Sequence, residues 1–267
     1  MTHALKTIAF LGAGNMAGAI IGGLSERDGI HISLYDINPA QYARFEGRGY
    51  TFHSTAAEAV EGADYVVLSV KPQNFAELAG MIRGTRLFDK VFVSIMAGVT
   101  IARIVGLLGE VPVIRTMPNA PLMIGMGVTA LTRNGLVSDE DFEFAKGMFS
   151  SLGEVLVLDE PHMNAIISVT ASAPAYVYAL IRAICDGAAE QGFDSENMLG
   201  IVCHMVEGSA RMLRESGKSP GEMIRIVASK GGTTEAALAV LEERGFEEAV
   251  REAMLACTRR ADELSAM

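Results

Sequence analysis

The sequence predicts an α/β fold built on a doubly wound parallel sheet, followed by an all-helical C-terminal region. Three observations carry this. Short, continuous apolar runs such as Tyr65-Val-Val-Leu-Ser-Val70 alternate with helical patterns through the first half of the chain, and unbroken apolar runs fit parallel strands covered by helices on both faces. A glycine turn, Gly12-Ala-Gly14-Asn-Met-Ala17, stands between the first strand pattern and the first helical one. After Asp159 the strand patterns stop, and long helical patterns run onward.

In order, strands are expected at Ile8–Leu11, His31–Tyr35, Tyr65–Val70, Val91–Ile95 and Val113–Met117. Helical stretches are expected near Met16–Ser25, Pro39–Gly47, Ala56–Glu61, Phe75–Ile82 and Ile101–Leu107. Alternating units with short connections give a doubly wound sheet. A further strand–helix–strand unit covers Gly127–Leu131, Ser138–Ser150 and Glu154–Leu158, with Ser138-Asp-Glu-Asp141 as the helix start and Gly153 as its stop. A domain boundary is expected near residue 160, giving domains 1–159 and 160–267. The second should hold helices near Pro161–Ala171, Pro174–Gln191, Ser195–Ser216, Pro220–Val227, Thr233–Glu243 and Phe246–Leu264, with Pro174 and Pro220 in first turns, where no helical N–H bond is lost.

At 267 residues the chain has ample length for a core, and with 50% apolar and 20% charged residues it is globular. A formal net charge of −10, with no basic cluster to offset it, disfavours nucleic acid and anionic membrane. Cys185, Cys203 and Cys257 show no CxxC spacing, and we see no targeting segment before Thr7-Ile-Ala-Phe-Leu11, so we expect reduced thiols and a cytoplasmic protein. Ala165–Ile181 carries no charge, but Pro174 interrupts it and it is short of the ~20 apolar residues a membrane span needs. It reads as helix buried in a core or a subunit interface. His3, His31, His53, His162 and His204 have no ligand spacing, so no metal is expected.

The turn Gly12–Ala17 has the form GxGxxA in the strand-to-helix context that a dinucleotide fingerprint requires. Gly12 permits the tight turn, Gly14 lets a pyrophosphate approach, and Ala17 allows close packing. The helix that opens with Asn15 and Met16 offers its N–H groups and positive end to phosphate. This makes the fold Rossmann-type. Asp36, at the end of the second strand, can accept bonds from the ribose hydroxyls of NADH and would repel the 2′-phosphate of NADPH; the plainer reading is an Asx turn before Pro39. Val70, Lys71 and Pro72, then Ala97 and Gly98, follow strands at the carboxyl edge, where ligands bind in such sheets. Lys71 offers a cation near phosphate or ribose, or is simply solvated. Asn119, between Pro118 and Pro121, presents a rigid amide to nicotinamide or substrate, or belongs to a plain turn.

Far downstream, Ser229-Lys-Gly-Gly-Thr-Thr-Glu235 is a glycine turn followed by hydroxyls at a helix start, a pocket for a small carboxylate. A nicotinamide site and a small-anion site together suggest hydride transfer. The ordered set Gly12–Ala17, Val70–Gln73, Arg115-Thr-Met-Pro-Asn119, Ser172-Ala-Pro-Ala-Tyr176 and Val227–Leu238 resembles the pyrroline-5-carboxylate reductases, over nearly the whole chain.

The resemblance implies NAD(P)H, a cyclic imine carboxylate as substrate, and a C-terminal dimerisation domain. It also implies a homodimer with intertwined helices, often assembled further into a decamer, and an active site between the cofactor domain of one subunit and helices that include the partner's. It places Thr234 near the ring nitrogen as the catalytic residue, while Ser229, Gly231, Gly232 and Thr233 bind the carboxylate. The alternative is that Thr233 or Thr234 only caps the helix. The chain departs from the family pattern in Thr170-Ala-Ser-Ala before Pro174, where the family usually has Ser-Gly-Ser-Gly, and at Ala120 and Ala228, where it usually has Thr. Other readings are a reductase of another cyclic imine, a β-hydroxyacid dehydrogenase, or a nicotinamide-binding sensor. Against the dehydrogenase, Pro161–Gln191 lacks the lysine base such an enzyme wants.

Overall fold

The computed structural model describes residues 5–24 and 29–265; Ser25 and His3 lie outside them. The first half alternates β1 (Lys6–Leu11), α1 (Asn15–Leu24), β2 (Ile30–Tyr35), β3 (Thr51–Phe52), α2 (Ala56–Glu61), β4 (Tyr65–Leu68), α3 (Phe75–Ile82), β5 (Val91–Ser94), α4 (Ile101–Leu108) and β6 (Val113–Met117). β7 (Gly127–Arg133), α5 (Asp139–Ser150) and β8 (Gly153–Val157) complete one eight-stranded sheet among the described residues, in the order β3-β2-β1-β4-β5-β6-β7-β8.

Strands β1 to β6 pair in parallel, and the unbroken apolar runs explain why. Tyr65–Leu68 and Val91–Ser94 are buried throughout, with helices on either face. One core cluster gathers Ile8, Phe10, Ile20, Leu34 and Phe149, and a second gathers Leu11, Phe75, Ile82, Phe92 and Ile104. Polar caps fix the helix starts: Thr55, Thr100 and Ser138 each accept a first-turn N–H of α2, α4 and α5.

Several expectations need correction. β7 runs antiparallel to β6, with Met117 opposite Ala130, before β8 returns parallel to β7. β3 escaped the sequence reading because it has only two residues, both exposed. Pro39–Phe45 is a 3-10 helix rather than an α-helix. Gly153 does not close α5, whose C-cap is Ser151; it opens β8 at φ +143°, where a Cβ would lie 2.0 Å from the Gly127 carbonyl oxygen.

The expected helix Pro161–Ala171 is instead a 3-10 turn, Glu160–His162, and a π-helical turn, Ile167–Ala171. Here the Ser172 N–H reaches back to the Ile167 carbonyl at 2.8 Å, a π-type bond. Then follow α6 (Ala173–Glu190), α7 (Ser195–Ser216), α8 (Pro220–Val227), α9 (Thr233–Glu243) and α10 (Phe246–Ser265).

The chain forms two compact units: one runs through Ser172 and takes back the chain from Cys257 on, and the other is Ala173–Ala256. The sequence pattern, by contrast, changes near residue 160. The intervening residues join the first unit because Glu160 accepts from the Ile101 N–H at the start of α4 and Asn164 accepts from Arg115 in β6. The helical unit has almost no core of its own. Among its residues with described exposure, Val202 alone is buried. The helical stretch Ile167–Glu190 is long and apolar enough, by length and composition, to cross a membrane, with mean hydropathy 1.3 and only 11% of that window buried.

Candidate active site

The glycine turn is built by backbone constraint. The Gly12 N–H donates to the Tyr35 carbonyl at 2.8 Å, and Gly12 takes φ +107°. A Cβ there would stand 2.7 Å from the Ser69 carbonyl oxygen, so only glycine lets β1 and β4 close this tightly. The Ser69 hydroxyl lies 2.6 Å from the Gly12 carbonyl oxygen and secures the turn; no sequence pattern marked it. Gly14 is exposed and would have nothing within 4 Å of a Cβ, which leaves its side of the turn open to a ligand. The first turn of α1 carries no acidic residue, and Ala17 packs it against the core. An open glycine before a helix whose first turn carries no acidic residue fits a pyrophosphate.

Gly12, Gly14, Asp36, Val70 and Lys71 line one cleft of about 280 Å³, together with Tyr35, Glu77 and Met81. Asp36 forms the expected Asx turn and also reaches into the glycine turn. One carboxylate oxygen accepts from the Asn38 N–H at 2.8 Å as an Asx turn, and the other accepts from the Ala13 N–H at 2.7 Å, inside the glycine turn. Burial, Tyr42, Asp36 and Glu77 together raise the Tyr35 hydroxyl above its ordinary pKa, so it stays neutral.

The remaining expected cofactor residues are dispersed. Asn15 accepts from Arg44 at 3.1 Å and faces a separate hollow with Gly18, Arg48 and Met123. Met16 packs half-buried against the core, and Pro72 starts the 3-10 turn Pro72–Asn74. Ala97 is half-buried, and the Gly98 carbonyl accepts from the Ser265 hydroxyl at 2.7 Å, which ties this loop to the end of α10. Asn119 is buried. Its amide donates to the Thr170 carbonyl at 3.1 Å and accepts from the Val128 N–H at 2.9 Å. The side chain therefore clasps the start of β7 to the π turn.

Sequence reasoning also missed a buried polar cluster. Arg115 is 3% exposed, and its guanidinium reaches Glu160 at 3.4 Å and Asn164 at 2.5 Å. The Asn164 amide donates to Asp262 and Ser265 at 2.8 and 3.0 Å. Burial pulls the Arg115 guanidinium below its ordinary pKa, and Glu160 opposes that. The Arg115-Thr-Met-Pro-Asn119 block pointed to the strand end, but nothing local pointed to partners so distant in sequence.

In the helical unit, Gly232 is the N-cap of α9, and no side chain caps this helix. The plain capping role for Thr233 or Thr234 is thereby overturned. Two of the N–H groups expected to hold a carboxylate are engaged within the loop: Gly231 donates to Glu235 at 2.6 Å, and Gly232 donates to the Ser229 carbonyl at 3.0 Å. Helical bonding resumes with the Ala236 N–H, so anion-binding capacity falls to the N–H groups from Thr233 to Glu235. Thr234 lines a mostly apolar cleft with Ser209, Met212, Met223 and Leu238.

A doubly wound sheet with this turn defines a Rossmann-type dinucleotide-binding protein, here carrying a helical C-terminal unit. Residues 160–264 match the family model described as pyrroline-5-carboxylate reductase dimerisation, and residues 7–98 match one described as NADP oxidoreductase, coenzyme F420-dependent. The chain is 36% identical to the pyrroline-5-carboxylate reductase of Escherichia coli, covering 97% of this chain and 98% of that one, and 34% identical to that of Pisum sativum, covering 97% and 96%. The Coxiella burnetii pyrroline-5-carboxylate reductase structure superposes with TM-score 0.85 at 30% identity, covering 98% and 99% of the two chains. The Plasmodium falciparum pyrroline carboxylate reductase, solved with NADP bound, shares the fold at TM-score 0.89 and 24% identity, covering 99% of each.

The chain belongs to the pyrroline-5-carboxylate reductase family. It is an NAD(P)H-dependent oxidoreductase of proline biosynthesis, reducing 1-pyrroline-5-carboxylate to proline, and its helical unit is a dimerisation domain.

Proposed function

We propose that NADH is the preferred hydride donor, that the dinucleotide lies along the cleft of Gly12, Gly14, Asp36, Val70 and Lys71, and that the turn at the start of α9 binds the imine substrate. The observation that carries the cofactor reading is Asp36, whose carboxylate lines this cleft and is held by the Ala13 and Asn38 N–H groups. Its fixed negative charge favours ribose hydroxyls and disfavours a 2′-phosphate.

The bound nicotinamide supplies a hydride to the imine carbon. The protein's part is positioning and electrostatics. The N–H groups from Thr233 to Glu235, at the positive end of α9, hold the substrate carboxylate, and Ser229 adds a hydroxyl. The Thr234 hydroxyl hydrogen-bonds to the ring nitrogen and orients a water that delivers the proton, because threonine itself is a poor acid. Addition of one hydride and one proton converts the C=N bond into an amine.

The active species is a homodimer closed through the helical unit, with the decamer as its larger assembly, in the cytoplasm. Residues 1–159 carry the cofactor site, and 160–267 carry substrate binding and dimerisation. The test of the cofactor reading is kcat/KM with NADH and with NADPH at saturating imine. A ratio in favour of NADH supports the role of Asp36, and a strong preference for NADPH removes it.

A further inference from the structure

We propose that Glu77, at the start of α3, is a second cofactor-selecting residue that acts with Asp36 to reject a 2′-phosphorylated dinucleotide. The inference rests on the reading of this cleft as the dinucleotide site. Glu77 and Asp36 come from different segments, α3 and the end of β2, yet line the same cleft. Tyr35 lines the cleft with them, and its hydroxyl feels the charge of both.

The cations nearby are disposed elsewhere. Arg44 lies over the Phe45 ring, bonds to Asn15, and faces a separate hollow with Arg48. Lys71 lines the cleft from the loop after β4. One lysine therefore stands against two carboxylates along this wall. A terminal phosphate of nearly two negative charges meets net repulsion there, while a pair of ribose hydroxyls meets acceptors.

A surface glutamate in a first helical turn has an ordinary use, complementing the helix dipole. That use stabilises α3 but does not distinguish between two ligands that differ by one phosphate, so discrimination is the decisive readout. Across a solvated cleft, one carboxylate acting on a phosphate dianion supports about 3- to 10-fold selectivity, weakening with salt.

The experiment is calorimetric titration of the full-length protein with ADP-ribose and with 2′-phospho-ADP-ribose, for wild type, Glu77→Gln, Glu77→Lys and Asp36→Asn. Kinetics with NADH and NADPH run in parallel. The expected result is that Glu77→Gln narrows the ratio of the two dissociation constants about 3- to 10-fold, that Glu77→Lys narrows it further, and that added salt shrinks both effects. An unchanged ratio in both Glu77 variants, with Asp36→Asn narrowing it, overturns the proposal and leaves the Asp36 reading standing. A wild type that binds the 2′-phosphorylated ligand more tightly overturns the cofactor reading, and this proposal with it.

Discussion

Gly232 and Thr234 separate two tasks that a run of hydroxyls leaves joined in the sequence. Gly232 takes the cap position of α9, which has no side-chain cap, and Thr234 faces a cleft. Replacing Thr234 by Ala therefore removes no cap. We expect kcat to fall about 10²-fold or more while the melting temperature stays near that of the wild type, as steady-state kinetics and a thermal melt will report. A sharp loss of stability with kcat unchanged would return Thr234 to a structural role. Tyr65 gives a pH-dependent prediction at the same scale. It is 1% exposed, its hydroxyl donates to Asp141 at 2.6 Å, and burial followed by Asp141 raises its pKa well above the ordinary 10.0. A raised folded pKa means that the stabilisation is complete below pH 10 and is lost as pH rises above it, because the unfolded chain releases this proton first. Denaturant titrations across that range should show alkaline loss of stability in the wild type and a weaker loss in Tyr65→Phe.

Elements were legible where local chemistry decides them. The helices Ala56–Glu61, Phe75–Ile82, Ser195–Ser216, Pro220–Val227 and Thr233–Glu243 lie where caps, prolines and periodicity put them. Ser138 is the clearest case: its hydroxyl accepts the Asp141 N–H at 3.1 Å, which fixes the start of α5 and hence the buried face Phe142, Ala145, Met148 and Phe149. Ser138→Ala should cost about 1 kcal/mol in denaturant unfolding, and no change would show that the Asp141 interactions suffice. What was not legible depends on distant partners. The reversal of β7 is not encoded in its apolar run, since either strand direction buries the same residues. The bonds of the Asn119 amide were not legible, because its partners, Thr170 and Val128, lie 51 and 9 residues away. The Arg115 cluster draws on Glu160, Asn164, Asp262 and Ser265, and only the folded chain brings these together.

At the scale of the molecule, the helical unit cannot stand as a monomer. Val177, Leu180, Leu199, Ile201, Ile224 and Leu255 are each at least 40% exposed, far more apolar surface than an isolated helical domain can leave in water. A second copy supplies the missing core, which also explains why the stretch Ile167–Glu190 is apolar and yet little buried. The melting temperature should therefore rise with protein concentration, and Leu180→Glu should lower the mass seen by light scattering. A concentration-independent melt at monomer mass would contradict this. The central claim is that this chain reduces 1-pyrroline-5-carboxylate with NADH preferred through Asp36. Its most direct test is the loss of reduced-nicotinamide absorbance with that imine, run with NADH and NADPH on wild type and Asp36→Ser. The account predicts turnover with a higher kcat/KM for NADH, and a shift toward NADPH in the variant. Turnover that favours NADPH in the wild type, or a ratio indifferent to Asp36, would contradict it.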